Sequence, residues 1–88
     1  MTMTKYDEMR KNMVASGFYT GADAEKDIEK IIELEKAFDE LCEEIAEECE
    51  AEGYPSHGLN YELRVSNARE YYDERISYID AKYEEKEE

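Results

Sequence analysis

One proline, one histidine, no tryptophan and only four glycines occur in the 88 residues. Such sparse punctuation favours long uninterrupted elements, and a solitary histidine leaves one candidate for the usual base of acid–base and nucleophilic catalysis. Cations are scarce too, with eleven lysines and arginines against twenty-five acids and a net charge of −14. The chain has no apolar run near the roughly 20 residues of a membrane span. Its opening Met-Thr-Met-Thr-Lys-Tyr-Asp lacks the apolar core of a signal peptide, so a cytoplasmic location is expected. The two cysteines, Cys42 and Cys49, are seven positions apart. On a helix they fall about two turns apart on one face, too far for a mutual disulfide, and read as small buried hydrophobes in a reducing compartment.

Apolar residues still make up 41%, an ordinary globular share, so the charge does not imply disorder. The chain reads as one domain over residues 1–88. A domain this small buries only about 60% of its unfolded surface and is marginal alone, which makes association expected. The charge is divided sharply: residues 1–20 sum to +1, residues 21–53 to −11 and residues 54–88 to −4. Most of the net charge is therefore one solvated helix face in the middle segment, and anion recognition is expected from the first and third segments.

Hydrophobic spacing predicts an all-α fold: a short N-terminal helix and then a long antiparallel two-helix hairpin, assembling as an oligomer. The short helix is expected over 1–15, with Met3, Tyr6, Met9, Met13 and Val14 at mostly three- and four-residue steps. Ser16-Gly17-Phe18-Tyr19 breaks it, and Thr20 with Asp23 has the spacing of a capping box that opens the second helix, 22–52. Ile28, Ile31, Leu34, Phe38, Leu41, Ile45 and Cys49 form its stripe. Gly53 suits a left-handed cap and Pro55 prevents continuation. The last helix, 60–84, carries Val65, Ala68, Tyr72, Ile76, Ile79 and Tyr83, and the acidic end, 84–88, should fray at the negative pole of the helix dipole. Tyr71, Tyr72, Tyr78 and Tyr83 either pack against further copies or edge a monomer core with their hydroxyls in water.

Little here suits catalysis or metal. His57 lies in the turn away from both cysteines, and no glutamate has a histidine three residues later, as a di-iron bundle needs. Ser56 and His57 are adjacent in a turn and are expected to point apart. Phosphate-cradling glycine patterns are missing. The chain reads as a binding protein, with no cofactor, rather than an enzyme.

Two features remain. One is the first helix, with Tyr6, Met9, Arg10, Lys11 and Asn12 in a net positive segment; the other is Arg64-Val-Ser-Asn-Ala-Arg69-Glu-Tyr-Tyr72-Asp-Glu-Arg75-Ile76 opening the last. In layout and in this arginine pattern the chain resembles the phage anti-CBASS family of cyclic-oligonucleotide sponges. The resemblance implies a compact homo-oligomer, a hexamer, that sequesters cyclic di- and trinucleotides from a bacterial antiviral cyclase. It implies that Tyr6 stacks on a base and Lys26 contacts phosphate, while Asn12 with Arg64 or Arg69 lines a second pocket between protomers. Met9 and Arg10 complete the ligand-binding set. From the residues alone, Tyr6 is also compatible with the core edge, and Lys26 with a pair to Asp23 or Glu29 on its own helix.

Screening moderates the repulsion of an anionic ligand: with a Debye length of about 8 Å, acids on an outward face are expected to contribute little at a site lined by Arg10, Lys26, Arg64 and Arg69 from neighbouring protomers. The rival reading is an acidic inhibitor that imitates nucleic acid. Asp39/Glu43/Glu47 and Glu40/Glu44/Glu48 repeat at about 6 Å along the axis, near phosphate spacing. Neither reading involves direct binding to a nucleic-acid duplex or to a membrane. A third, an adaptor that pairs with host helices through its tyrosine face, is also compatible.

Overall fold

Three helices and no strands make up the described residues, 4–84, of the computed structural model. They are α1, Lys5–Ser16; α2, Ala24–Ala51; and α3, Leu59–Glu84. Met3, counted with the first apolar stripe, and the acidic positions 85–88 lie outside the described residues.

The first helix starts later than expected because Thr4 caps it. Its hydroxyl accepts from the Asp7 amide at 3.2 Å, and the Asp7 carboxylate accepts from the Thr4 amide at 3.2 Å, a reciprocal capping box. Gly17, at φ 74°, ends the helix. The other Thr-x-x-Asp, Thr20 to Asp23, does not open α2 as expected: the helix begins at Ala24, and the capping residue Asp23 makes no side-chain cap bond. Gly21, at φ 102°, turns the chain just before this point. Thr4→Ala is expected to cost about 1 kcal/mol and to fray the first turn of α1. Hydrogen exchange at the Asp7 and Glu8 amides should accelerate; unchanged protection would show that the cap contributes nothing.

The C-terminal end of α2 follows the expected rule. Gly53 is left-handed at φ 90°, its amide donates to the Glu50 carbonyl at 3.1 Å, and the Tyr54 amide reaches the Cys49 carbonyl at 2.8 Å. Successive pairings between α2 and α3 then run in reverse order: Glu52 with Arg64, Phe38 with Tyr72, and Asp27 with Lys82 and Tyr83.

Ile28, Ile31, Ile32, Phe38, Ile45 and Cys49 of α2 are buried, with Ile79 and Tyr83 from α3. The four tyrosines treated together in the sequence divide. Tyr83 is core, with its hydroxyl donating to Asp27, and Tyr72 is half-buried edge-on to Phe38. Tyr71 and Tyr78 are exposed. Leu59 and Leu63 share that outward side of α3, so apolar residues occupy more than its α2-facing stripe. A compact 88-residue chain has a radius of gyration of about 12 Å. Here it is 16.0 Å, with extents of 51 × 35 × 16 Å, so the molecule is a thin slab with a small core.

Candidate ligand-binding site

Both α1 and α3 pack on α2 and not on one another, which leaves a groove between them. Its floor is apolar: Met9 and Met13 from α1, Ile31 from α2, Ile76 from α3, and Tyr19 from the connection. Two adjoining hollows, about 600 and about 520 Å³, share Met9, Met13 and Tyr19. Tyr19 is fixed by its hydroxyl, which donates to Asp80 at 2.6 Å, and by edge-on contacts with Phe18 and Tyr83, both with centroids 5.0 Å away. Burial first, and then the Asp80 carboxylate, push its phenol pKa above the ordinary range, so it remains a protonated donor. Methionine and aromatic surface of this kind adapts to flat apolar ligands.

Three of the seven expected ligand residues line these hollows: Met9, Asn12 and Arg69. Arg69 lies over the Phe38 ring at 4.2 Å and pairs with Glu35 and Asp73, both at 2.7 Å. Those pairs raise its pKa, the Glu35 hydrogen bond foremost. Its Nε is buried and finds no acceptor among the described residues. A buried donor without an acceptor is uncommon in folded proteins.

The other four are placed elsewhere or are already engaged. Tyr6, beside the groove, donates its hydroxyl to Asp39, and ammonium groups of Lys5 and Lys36 lie 5.4 and 5.2 Å from its ring centroid. Burial acts to raise the Asp39 pKa, yet hydrogen bonds from Lys5 and Tyr6 hold it below the usual carboxylate range. Arg10 points to the other flank of α1 and pairs with Glu29 at 2.7 Å. Arg64 closes the turn end of the molecule, 3.1 Å from Glu52 and 3.8 Å from Glu48, far along α2 from Asn12. Lys26 is exposed, and among the described residues neither Asp23 nor Glu29 pairs with it. Within one protomer, therefore, Tyr6 does not converge with Lys26, nor Asn12 with Arg64.

At the turn, Ser56 Oγ lies 3.3 Å from His57 Nδ1, closer than adjacency alone suggested, and the imidazole rests 4.7 Å from the Tyr61 ring. Among the described residues no group of three His, Cys, Asp or Glu side chains is placed to hold a metal. Nor is any helix there long and apolar enough to cross a membrane. Comparison with protein-family models, curated proteins and solved structures finds no match for this chain.

Proposed function

We propose that this chain is a non-enzymatic binding protein that sequesters cyclic di- and trinucleotides, and so blocks a bacterial antiviral response, in pockets completed by further copies of itself. The observation that carries the reading is Arg69, whose partly exposed guanidinium is set on the rim of an apolar, aromatic groove. A phosphodiester seated there would take a charge-assisted bond from the part of the Arg69 guanidinium that faces the groove, while a base lay on the Met9, Met13 and Tyr19 surface.

The groove of one protomer is not cationic by itself, because Glu8, Glu35, Asp73 and Asp80 outnumber Lys5 and Arg69 along it. Lys26 of a neighbouring copy, which has no carboxylate pair among the described residues, would move that balance towards positive, and a hexamer of helical hairpins is the assembly the sequence resemblance implies. Exposed surface supports association: 6609 Å², where a 10.4 kDa monomer usually shows about 5,400 Å².

In calorimetry with one cyclic dinucleotide and one cyclic trinucleotide, at least one should bind with micromolar or tighter affinity. Arg69→Gln should weaken that binding at least tenfold, about 1.4 kcal/mol. Absence of heat with both ligands, or a strictly monomeric mass by light scattering, would overturn the proposal. A second reading draws on Glu40, Glu43, Glu44 and Glu47, which are exposed and have no cationic partner among the described residues. This is the surface a nucleic-acid-imitating inhibitor needs. It predicts salt-sensitive binding to a DNA-binding enzyme, weakened by Glu43→Gln with Glu47→Gln and unaffected by Arg69→Gln.

A further inference from the structure

The outward flank of the α2–α3 pair holds a further hollow of about 530 Å³, with Lys30, Leu34, Tyr71, Glu74, Arg75 and Tyr78 around it. That volume lies within the ordinary range for small-molecule sites, about 300–1,000 Å³. Successive helical residues turn by about 100°, so positions 71, 74, 75 and 78 occupy one side of α3 and positions 69, 73, 76 and 80 the opposite one. The hollow is therefore separate from the α1–α3 groove.

The arginine in its lining is held differently from the other three. Arg10, Arg64 and Arg69 are each within 4 Å of a carboxylate, whereas Arg75 is not paired with one among the described residues. Instead its guanidinium lies 5.4 Å from the Tyr71 ring centroid and donates to the Tyr71 hydroxyl at 3.2 Å. Stacking pre-orients the planar fork without neutralising it. Lys30 faces it from α2, also without a carboxylate pair among the described residues, and Glu74 is the sole acid of the lining. Tyr78, 80% exposed, stands one turn beyond Arg75 with its ring in water. The hollow thus sets two cations, neither with a carboxylate within 4 Å among the described residues, between two accessible rings.

We infer that this hollow is a second ligand site, for a nucleoside phosphate: the phosphate between Lys30 and Arg75, the base stacked on Tyr78. Arginine's fork and lysine's point charge complement a phosphate dianion, and an open phenol ring is a stacking platform for any base. Neither element alone specifies a nucleotide; their placement on one 530 Å³ surface does. The site requires no second copy and does not depend on the function proposed for the groove.

The test uses the full chain and three probes, adenosine 5′-monophosphate, adenosine and inorganic phosphate, followed by NMR of tyrosine rings and methionine methyls. The monophosphate should shift the Tyr71 and Tyr78 ring signals and bind at least fivefold tighter than either fragment. Arg75→Gln and Lys30→Gln should each weaken it about five- to tenfold, and Tyr78→Ala about tenfold, with unchanged helical circular dichroism. Phosphate binding as tightly as the nucleotide would overturn the assignment, as would shifts confined to Met9 and Met13, or affinity indifferent to Arg75→Gln. Loss of oligomeric mass in Tyr78→Ala without nucleotide binding would assign the surface to a second copy. A cyclic dinucleotide that still binds while the monophosphate does not would end this inference and leave the groove reading intact.

Discussion

Asp27→Ala is expected to destabilise the chain by about 2 to 3 kcal/mol, read as a lower urea midpoint at unchanged slope. Asp27 is 8% exposed, near the start of α2, and its Oδ2 accepts from Lys82 Nζ at 3.0 Å and from the Tyr83 hydroxyl. One carboxylate thus ties the start of α2 to the end of α3. Removing one partner of a buried pair ordinarily costs about 3 to 5 kcal/mol, but the Lys82 side chain is 50% exposed and can return to water, which lowers the expected figure. Tyr83→Phe should cost about 1 kcal/mol, and the double variant less than the two losses added, since both delete the same bond.

The same contact sets opposite pH limits. Asp27 is held below its ordinary value of 3.8, chiefly by the Tyr83 hydrogen bond and then by Lys82, against the burial that would raise it. Its contribution is therefore complete above the unfolded value and lost as pH falls through the lower folded one. Burial first, and then the Asp27 bond, push Tyr83 from 10.0 up to about 12. The protonated phenol is the native form, so its contribution is complete below 10.0 and lost as pH rises towards about 12. Urea titrations across pH should show a plateau with two falling limbs, and the wild-type minus Asp27→Ala difference should shrink at both ends. A difference constant from pH 3 to 12 would contradict the linkage.

Much of the helical layout was legible because it depends on local periodicity and punctuation. Gly53 and Pro55 marked the end of α2 unambiguously. The capping box was harder, because Thr4-Lys-Tyr-Asp7 and Thr20-Gly-Ala-Asp23 have the same spacing, and only the backbone turn at Gly21 separates them. Asp27 could have been found: it lies four positions before Ile31, on the apolar side of α2, where an acid demands a partner. Its partner is a tertiary matter, and no spacing rule places Lys82 and Tyr83 beside it. The candidate site was less legible for the same reason. Met9, Asn12 and Arg69 meet on one groove only because two helices share α2 as a support. Arg10 and Arg64 look equally available in a sequence but are neutralised by Glu29 and Glu52, acids distant in the chain. Conversely Lys30 and Arg75 attract little notice until the structure shows them without such partners.

The other large effect is expected at Ile32, which is 1% exposed and, with Cys49, the most completely enclosed side chain. Ile32→Ala removes three buried carbons, and cavities of this kind cost about 2 to 5 kcal/mol. The slab shape argues for the middle of that range, about 3 kcal/mol: a wall one helix thick can partly close, but few other buried groups can take over the lost contacts. For a domain of this size that corresponds to a fall in Tm of roughly 12 to 24 °C, measurable by calorimetry. A loss below about 1 kcal/mol would mean that the site is effectively open to solvent or repacks without penalty. Association alters the outcome in a diagnostic way, because whatever binds only the folded chain adds stability that grows with its concentration. If copies cover Leu59, Leu63 or Val14, raising protein concentration should raise the Ile32→Ala midpoint and partly restore the fold. A midpoint independent of concentration would leave those side chains facing water in solution and would deprive the groove of the neighbouring cations it needs.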